Sequence, residues 1–235
     1  MKKLITTAVV IILCMMYSSA QGPKGYIGIS AGPNLPVGEY ASTDFSSDVA
    51  GWAKLGVNLD ISFAYQFGEG NLGIAALLRG QVNPTDAQAM ENFYNNSFSG
   101  ANWTVNGESW KLGGLLLGGY GSFPIFEKTS FDTRIMAGFL NSSLPSFTVT
   151  ATNDGSTGWY KHESVTAISF AYLVGVGLKF DISPKLYLLT NVDYWASNPK
   201  FKDVKITASD GTTSTDSFEP SIGSINLSVG IALKL

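Results

Sequence analysis

The sequence predicts an all-β protein, an eight-stranded antiparallel transmembrane up-and-down β-barrel, on three observations. The first is period-two alternation from Gly51 to Phe67. Ala53, Leu55, Val57, Leu59, Ile61, Phe63, Tyr65 and Phe67 fall on one parity, and Lys54, Gly56, Asn58, Asp60, Ser62, Ala64 and Gln66 on the other. Strands of soluble domains run about five or six residues, so alternation this long calls for lipid on one face and a polar lumen on the other. The second is the rhythm of the connections, in which three tight links alternate with four long ones. The third is an export signal. In a bilayer every backbone donor and acceptor must be paired without water, and a closed antiparallel barrel is the sheet that achieves it.

The first residues supply that signal. Lys2 and Lys3 precede an apolar run from Ala8 to Met16, and Ser18-Ser19-Ala20 offers small residues for cleavage. A signal peptide over residues 1–20 is expected, with the barrel domain over 21–235. The apolar run is shorter than the ~20 residues that span hydrocarbon, so a retained membrane helix is disfavoured. Cys14 belongs to the apolar region, since Ile12 and Leu13 are bulky where lipoprotein processing takes small residues. With Cys14 removed the mature chain has no cysteine, which excludes disulfides and thiol chemistry.

Eight strands are expected, at Gly25 to Gly32, Gly51 to Phe67, Leu72 to Val82, Ser109 to Phe123, Phe131 to Leu140, Val165 to Phe180, Leu186 to Trp195 and Ile222 to Leu235. Tight links lie at Gly68-Glu69-Gly70-Asn71, around Pro124 to Ser130, and at Asp181 to Lys185. The long links run from Pro33 to Ala50, Asn83 to Glu108, Asn141 to Ser164 and Ala196 to Ser221, and are rich in Ser, Thr, Asn, Gly and Asp. In the sixth strand Ile168, Phe170, Tyr172, Val174, Val176, Leu178 and Phe180 share one face, with Leu173 an apolar exception on the other. In the last, Ile225, Leu227, Val229, Ile231, Leu233 and Leu235 oppose Ser224, Asn226, Ser228, Gly230, Ala232 and Lys234. The fourth, from Lys111 to Tyr120, carries leucines and glycines on both faces, so its sides stay open and a bulge is allowed. Tyr26, Trp52, Trp110, Phe123, Phe131, Phe180, Tyr187, Tyr194 and Trp195 stand near strand ends, where interfacial girdles would place them.

The terminal stretch Ser224 to Leu235, the opening Gly25-Tyr26-Ile27-Gly28-Ile29-Ser30-Ala31-Gly32-Pro33, and Val192-Asp193-Tyr194-Trp195-Ala196-Ser197-Asn198-Pro199 carry a family resemblance. They are similar to the outer-membrane β-barrel domain of Gram-negative bacteria, of the OmpA, OmpX and opacity-adhesin form. The resemblance covers nearly the whole mature chain and implies an outer-membrane location, with lipid, lipopolysaccharide and the barrel assembly machinery as partners. Leu235 departs from the terminal aromatic residue usual in such barrels.

Chemistry is sparse. A net charge of −3 and a pI near 5.1 leave no basic footprint for nucleic acid. Gly28-Ile29-Ser30-Ala31-Gly32 fits a nucleophile elbow, but Pro33 and Pro36 disfavour the helix that motif needs. One histidine and no mature cysteine argue against a transition-metal site, and Asp210 and Asp216 lack calcium-loop spacing. No cofactor is expected. His162 and Ser164, two apart and on one face, resemble the H-x-S of lipid A deacylase barrels, with no carboxylate placed to orient the histidine.

Thr85 and Gln88 form a capping box ahead of Ala87, Ala89, Met90, Phe93 and Tyr94, so a short helix is expected in the second long link. With Trp103, Trp159 and Tyr160, the aromatics Phe93 and Tyr94 are candidate loop contacts for a surface ligand. If Glu69 and Gly70 close a two-residue hairpin, facing residues sum to 139, which sets Asp60 opposite Arg79 inside the lumen. A lumen ion pair is expected, joined by Arg134 or Lys179. Eight strands leave an interior about wide enough for side chains, which argues against a general porin. Neither a periplasmic domain nor a peptidoglycan tether is expected. The expected function is structural or surface-interacting through the outer loops, and non-enzymatic. Alternatives are a narrow conduit for small apolar molecules, a lipid A-modifying enzyme using His162 and Ser164, and a soluble lipocalin-like barrel.

Overall fold

A computed structural model describes residues 24–235; the expected signal peptide and its cleavage site lie outside them. Small inward residues and branched outward ones favour twisted, pleated backbone, and thirteen strands result. In chain order they are β1 (Gly25–Val37), β2 (Gly56–Gln66), β3 (Leu72–Asn83), β4 (Asn102–Gly107), β5 (Trp110–Phe126), β6 (Thr129–Ser143) and β7 (Phe147–Asn153). They continue as β8 (Ser156–His162), β9 (Thr166–Ser183), β10 (Leu186–Ser197), β11 (Phe201–Ala208), β12 (Thr213–Phe218) and β13 (Ile222–Lys234). An α-helix, α1 (Ala87–Ser97), joins β3 to β4, and a single 3-10 turn, Gly38–Ala41, follows β1. No helix among the described residues is long and apolar enough to cross a membrane.

Eight strands close a barrel in the order β1-β13-β10-β9-β6-β5-β3-β2, every pair antiparallel. Closure leaves no open edge in the barrel wall, the condition a hydrocarbon solvent imposes. The outward residues form an apolar belt: Ile135 is 69% exposed, Ile168 74% and Leu117 62%. Aromatics stand toward its two ends, Phe67, Phe123, Phe126 and Phe131 by the short turns and Phe139 and Phe170 toward the long loops. A surface this apolar over a closed sheet faces lipid.

The loop strands make a second sheet above the barrel, in the order β12-β11-β8-β7-β4. Its β4 edge is covered by α1. Asn95 of the helix accepts from the Trp103 amide at 3.0 Å and donates to the Trp103 carbonyl at 2.9 Å, and Glu91 accepts from Val105 at 3.1 Å. These side chains occupy hydrogen-bonding groups that another strand would otherwise take.

Several expectations change in the structure. The long second strand begins only at Gly56, because Trp52 takes a left-handed φ of 54° and Ala53 turns inward to bridge Thr85. The first hairpin has a four-residue loop, with Phe67 donating to Leu72 at 2.9 Å and Gly68 at φ 58°. Two extra loop residues leave the sum of facing numbers at 139, so Asp60 still faces Arg79 and Phe63 faces Ala76. The helix is capped by Asp86, whose carboxylate accepts from Ala89 at 3.1 Å, while Thr85 donates to the Glu108 carbonyl at 2.6 Å. In β5, Leu112 and Leu116 point in and Leu115 and Leu117 out, and the irregularity falls at Pro124 to Phe126. Tyr26, Trp52, Trp110, Tyr187 and Trp195 are not girdle residues. Tyr26, Trp52, Trp110 and Trp195 are buried, and Tyr187 lies inward with its ring edge-on to Tyr26.

Candidate functional site

The lumen is filled in layers. At the turn end, Tyr120 donates to Asp132 at 2.6 Å, and Lys179 donates to Tyr120 at 3.0 Å and to Ser122 at 2.7 Å. The Lys179 ammonium also lies over the rings of Tyr26 and Tyr187, which stabilise a cation through their negative faces.

The middle layer is an ion network that crosses the barrel. Arg79 is bidentate to Asp60, with both contacts at 2.7 Å, and reaches Asp193 at 2.6 Å. Arg134 closes on Asp193 from the far side at 2.8 and 2.7 Å. All four side chains are nearly or wholly buried. Two carboxylates balance two guanidinium groups, so each buried charge meets an opposite one. Arg134 thus joins the Asp60–Arg79 pair, whereas Lys179 belongs to the separate Asp132 cluster.

Gly175 makes the crossing possible. It lies on β9 between Arg134 of β6 and Asp193 of β10, and a Cβ there would stand 1.9 Å from an Asp193 carboxylate oxygen. Glycine is required because the ion pair passes over its backbone. Asp193 and Gly175 were missed in the sequence, although the inward parity of Leu189, Asn191 and Asp193 on β10 could have exposed the carboxylate.

Toward the loops the lumen turns to amides and rings. Gln81 donates to Asn83 at 2.8 Å, Tyr40 donates to Asn83 at 3.1 Å, and Trp195 donates to Ser224. Trp110, only 1% exposed, caps this layer with Tyr40 and Phe201 packed against it and its indole donating to the Gly51 carbonyl at 2.8 Å. Above Trp110 opens a cavity of about 470 Å³ bounded by the loops.

The loop aromatics distribute unevenly. Phe93 stacks on Phe45 at 3.7 Å, Tyr94 stacks on Trp103 at 5.3 Å, and the hydroxyls of Tyr94 and Tyr160 hydrogen-bond. Tyr94, Trp103 and Tyr160 therefore pack on the loop domain's own core, while Phe93, 36% exposed, and Trp159, 40% exposed, stand at its surface. Burial raises the Tyr160 phenol above its ordinary range, and the Tyr94 bond adds to it.

His162 and Ser164 are not joined by a hydrogen bond. Ser164 donates to the Leu144 carbonyl at 2.7 Å, and the His162 ring stacks on Phe147 at 4.2 Å. Burial holds the imidazole below its usual pKa, with the Asp216 charge opposing in part. Among the described residues no group of three or more His, Cys, Asp or Glu is arranged to hold a metal.

The closed barrel, its apolar belt and its charged plug define a protein of the small outer-membrane barrel type. No family model matches the sequence, and no curated protein matches it. Among solved structures it is similar to Ail, the attachment invasion locus protein of Yersinia pestis, at 15% identity and a TM-score of 0.44, covering 92% of this chain and 100% of that one. Neisserial surface protein A is similar at 13% identity and a TM-score of 0.43, over 90% and 97%. A major outer membrane protein from Thermus thermophilus is similar at 11% identity and a TM-score of 0.49, over 90% and 99%. At these identities the likeness is one of fold alone; the barrel is established by its own strand pairing.

Proposed function

We propose that this chain is an outer-membrane protein with a structural and surface-interaction role, performed by its long loops and without catalysis. The observation that carries this reading is the contrast between the two ends of the barrel. The lumen is packed from Lys179 to Trp110, while the loops build an ordered five-stranded sheet with its own aromatic core. A plugged wall cannot pass solute, and a folded platform outside it can make contacts.

Export by a signal peptide cleaved after Ala20, contact with lipid and lipopolysaccharide, and insertion by the barrel assembly machinery belong to the same proposal. The lipid-modifying alternative is weakened because the Ser164 hydroxyl is committed to the Leu144 carbonyl rather than to His162. The conduit is weakened by the plug.

Cysteine labelling in intact cells tests the reading. In a Cys14→Ser background, Thr157→Cys, exposed near the start of β8, should react with a membrane-impermeant maleimide. Glu69→Cys on the first short turn should react only after the cells are permeabilised. Equal labelling of both, or the reverse pattern, would remove the outward assignment of the loops.

A further inference from the structure

The cavity above Trp110 is a vestibule with a floor. Trp110 is fixed by its indole bond to Gly51 and by the edge of the Tyr40 ring, so the hollow ends there and does not continue into the lumen. Its walls are aromatic: Phe45, Trp52, Tyr94, Phe147 and Phe218 line it together with Trp110. Phe45 sits edge-on to Trp52 at 4.5 Å, which fixes the orientation of that wall. Pockets of a few hundred cubic ångströms with apolar walls and few polar groups suit small molecules.

The charge of the vestibule has one sign. Asp48 and Asp216 stand at its exposed rim, and no lysine or arginine lines it. Neither carboxylate forms an ion pair with a lysine or arginine among the described residues. His162 also lines it, and burial shifts that imidazole toward its neutral form, with the Asp216 charge opposing in part. Aromatic faces and carboxylates act in the same direction, since both attract a cation while the rings bury its apolar part.

We propose that this vestibule binds a small organic cation with an apolar or aromatic body, a quaternary ammonium or protonated amine. The rings of Trp52, Tyr94 and Phe147 surround the body, and Asp48 and Asp216 hold the charge at the entrance. This names a ligand class for the outer surface under the reading above. Binding is measured on purified protein, so it stands or fails separately from the direction the loops face in cells.

The test is calorimetric titration of the full chain in a nonionic maltoside, with three probes of similar body and different charge: benzyltrimethylammonium, benzyl alcohol and phenylacetate. The expected result is saturable binding of the cation, about tenfold tighter than the neutral probe, with the anion weakest. Asp48→Asn combined with Asp216→Asn should bring the cation close to the neutral probe. Ser47→Phe, which fills the cavity from its wall, should abolish binding of both. Heat-modifiable gel migration shows that each variant keeps its barrel. Absence of saturable binding of the cation, equal binding of cation and alcohol, or full cation affinity in the double asparagine variant would each overturn the proposal.

Discussion

At the scale of single residues, the four charges Asp60, Arg79, Asp193 and Arg134 are the most demanding feature of the lumen. Each is buried where a lone charge costs several kcal/mol, and each has a partner within 3 Å. Arg79→Leu should lower unfolding stability by about 3–5 kcal/mol, since it strands Asp60. Asp60→Leu combined with Arg79→Leu should cost less than Arg79→Leu alone, because the orphaned carboxylate is removed. Urea unfolding in lipid vesicles measures both, and a double variant weaker than the single one would show that the pair contributes net attraction beyond charge neutralisation. The facing of Asp60 and Arg79 follows from one hairpin register. Their connection to Asp193 does not, since that residue is 114 positions from Arg79 and arrives only when the barrel closes.

At the scale of elements, each barrel strand presents two solvents to its two faces. Ile135 lies mid-strand on β6, 69% exposed and opposite Gly119 and Val174. Ile135→Arg should destabilise the inserted barrel by about 2–4 kcal/mol, the cost of a cation on the lipid face. Thr157→Arg on the loop hairpin should change it by less than about 0.5 kcal/mol. Equal unfolding midpoints in vesicles would deny that the belt faces hydrocarbon. Inward charges are a different matter. Ser62 is 5% exposed in a packed interior, so an acid there is not innocuous, although alternation alone marks the position as polar.

The loop sheet has its own sensitivity. Because the folded pKa of His162 lies below its unfolded value, the unfolded loops take up the proton more readily. Stability is therefore fully present above about pH 6.5 and declines as pH falls through the ordinary histidine range. Asp216 on β12 opposes the loss, and the Tyr160 ring packs edge-on to the imidazole. Loop proteolysis should accelerate between neutral and mildly acidic pH, and His162→Phe should remove that acceleration. Unchanged pH dependence in the variant would assign it to other groups.

At the scale of the whole molecule, the alternation of β2, β9 and β13 and the spacing of links carried the closed barrel, because the two faces of those strands differ chemically. The aromatic residues were less legible. Trp110 shares inward parity with Leu112 and Leu116, and Trp195 with Asp193, yet nearness to strand ends favours a girdle equally well until the faces are known. The loop sheet was not legible at all. β4, β7, β8, β11 and β12 are short and largely polar, and the two hairpins β7–β8 and β11–β12 join with β4 into one sheet only through the β4–β7 and β8–β11 pairings across long sequence separations. In isolation such segments are marginal.

The central claim is that the barrel is a sealed wall bearing an outward platform. Conductance across a planar bilayer in molar potassium chloride tests it most directly. Purified wild-type protein should insert without unitary current steps, because the Arg79 network and Trp110 occupy the lumen. Arg79→Ala combined with Trp110→Ala, if it folds, should produce measurable leakage through the same wall. Stable, uniform conductance steps from the wild-type protein would contradict the sealed barrel and return the lumen to the status of a conduit.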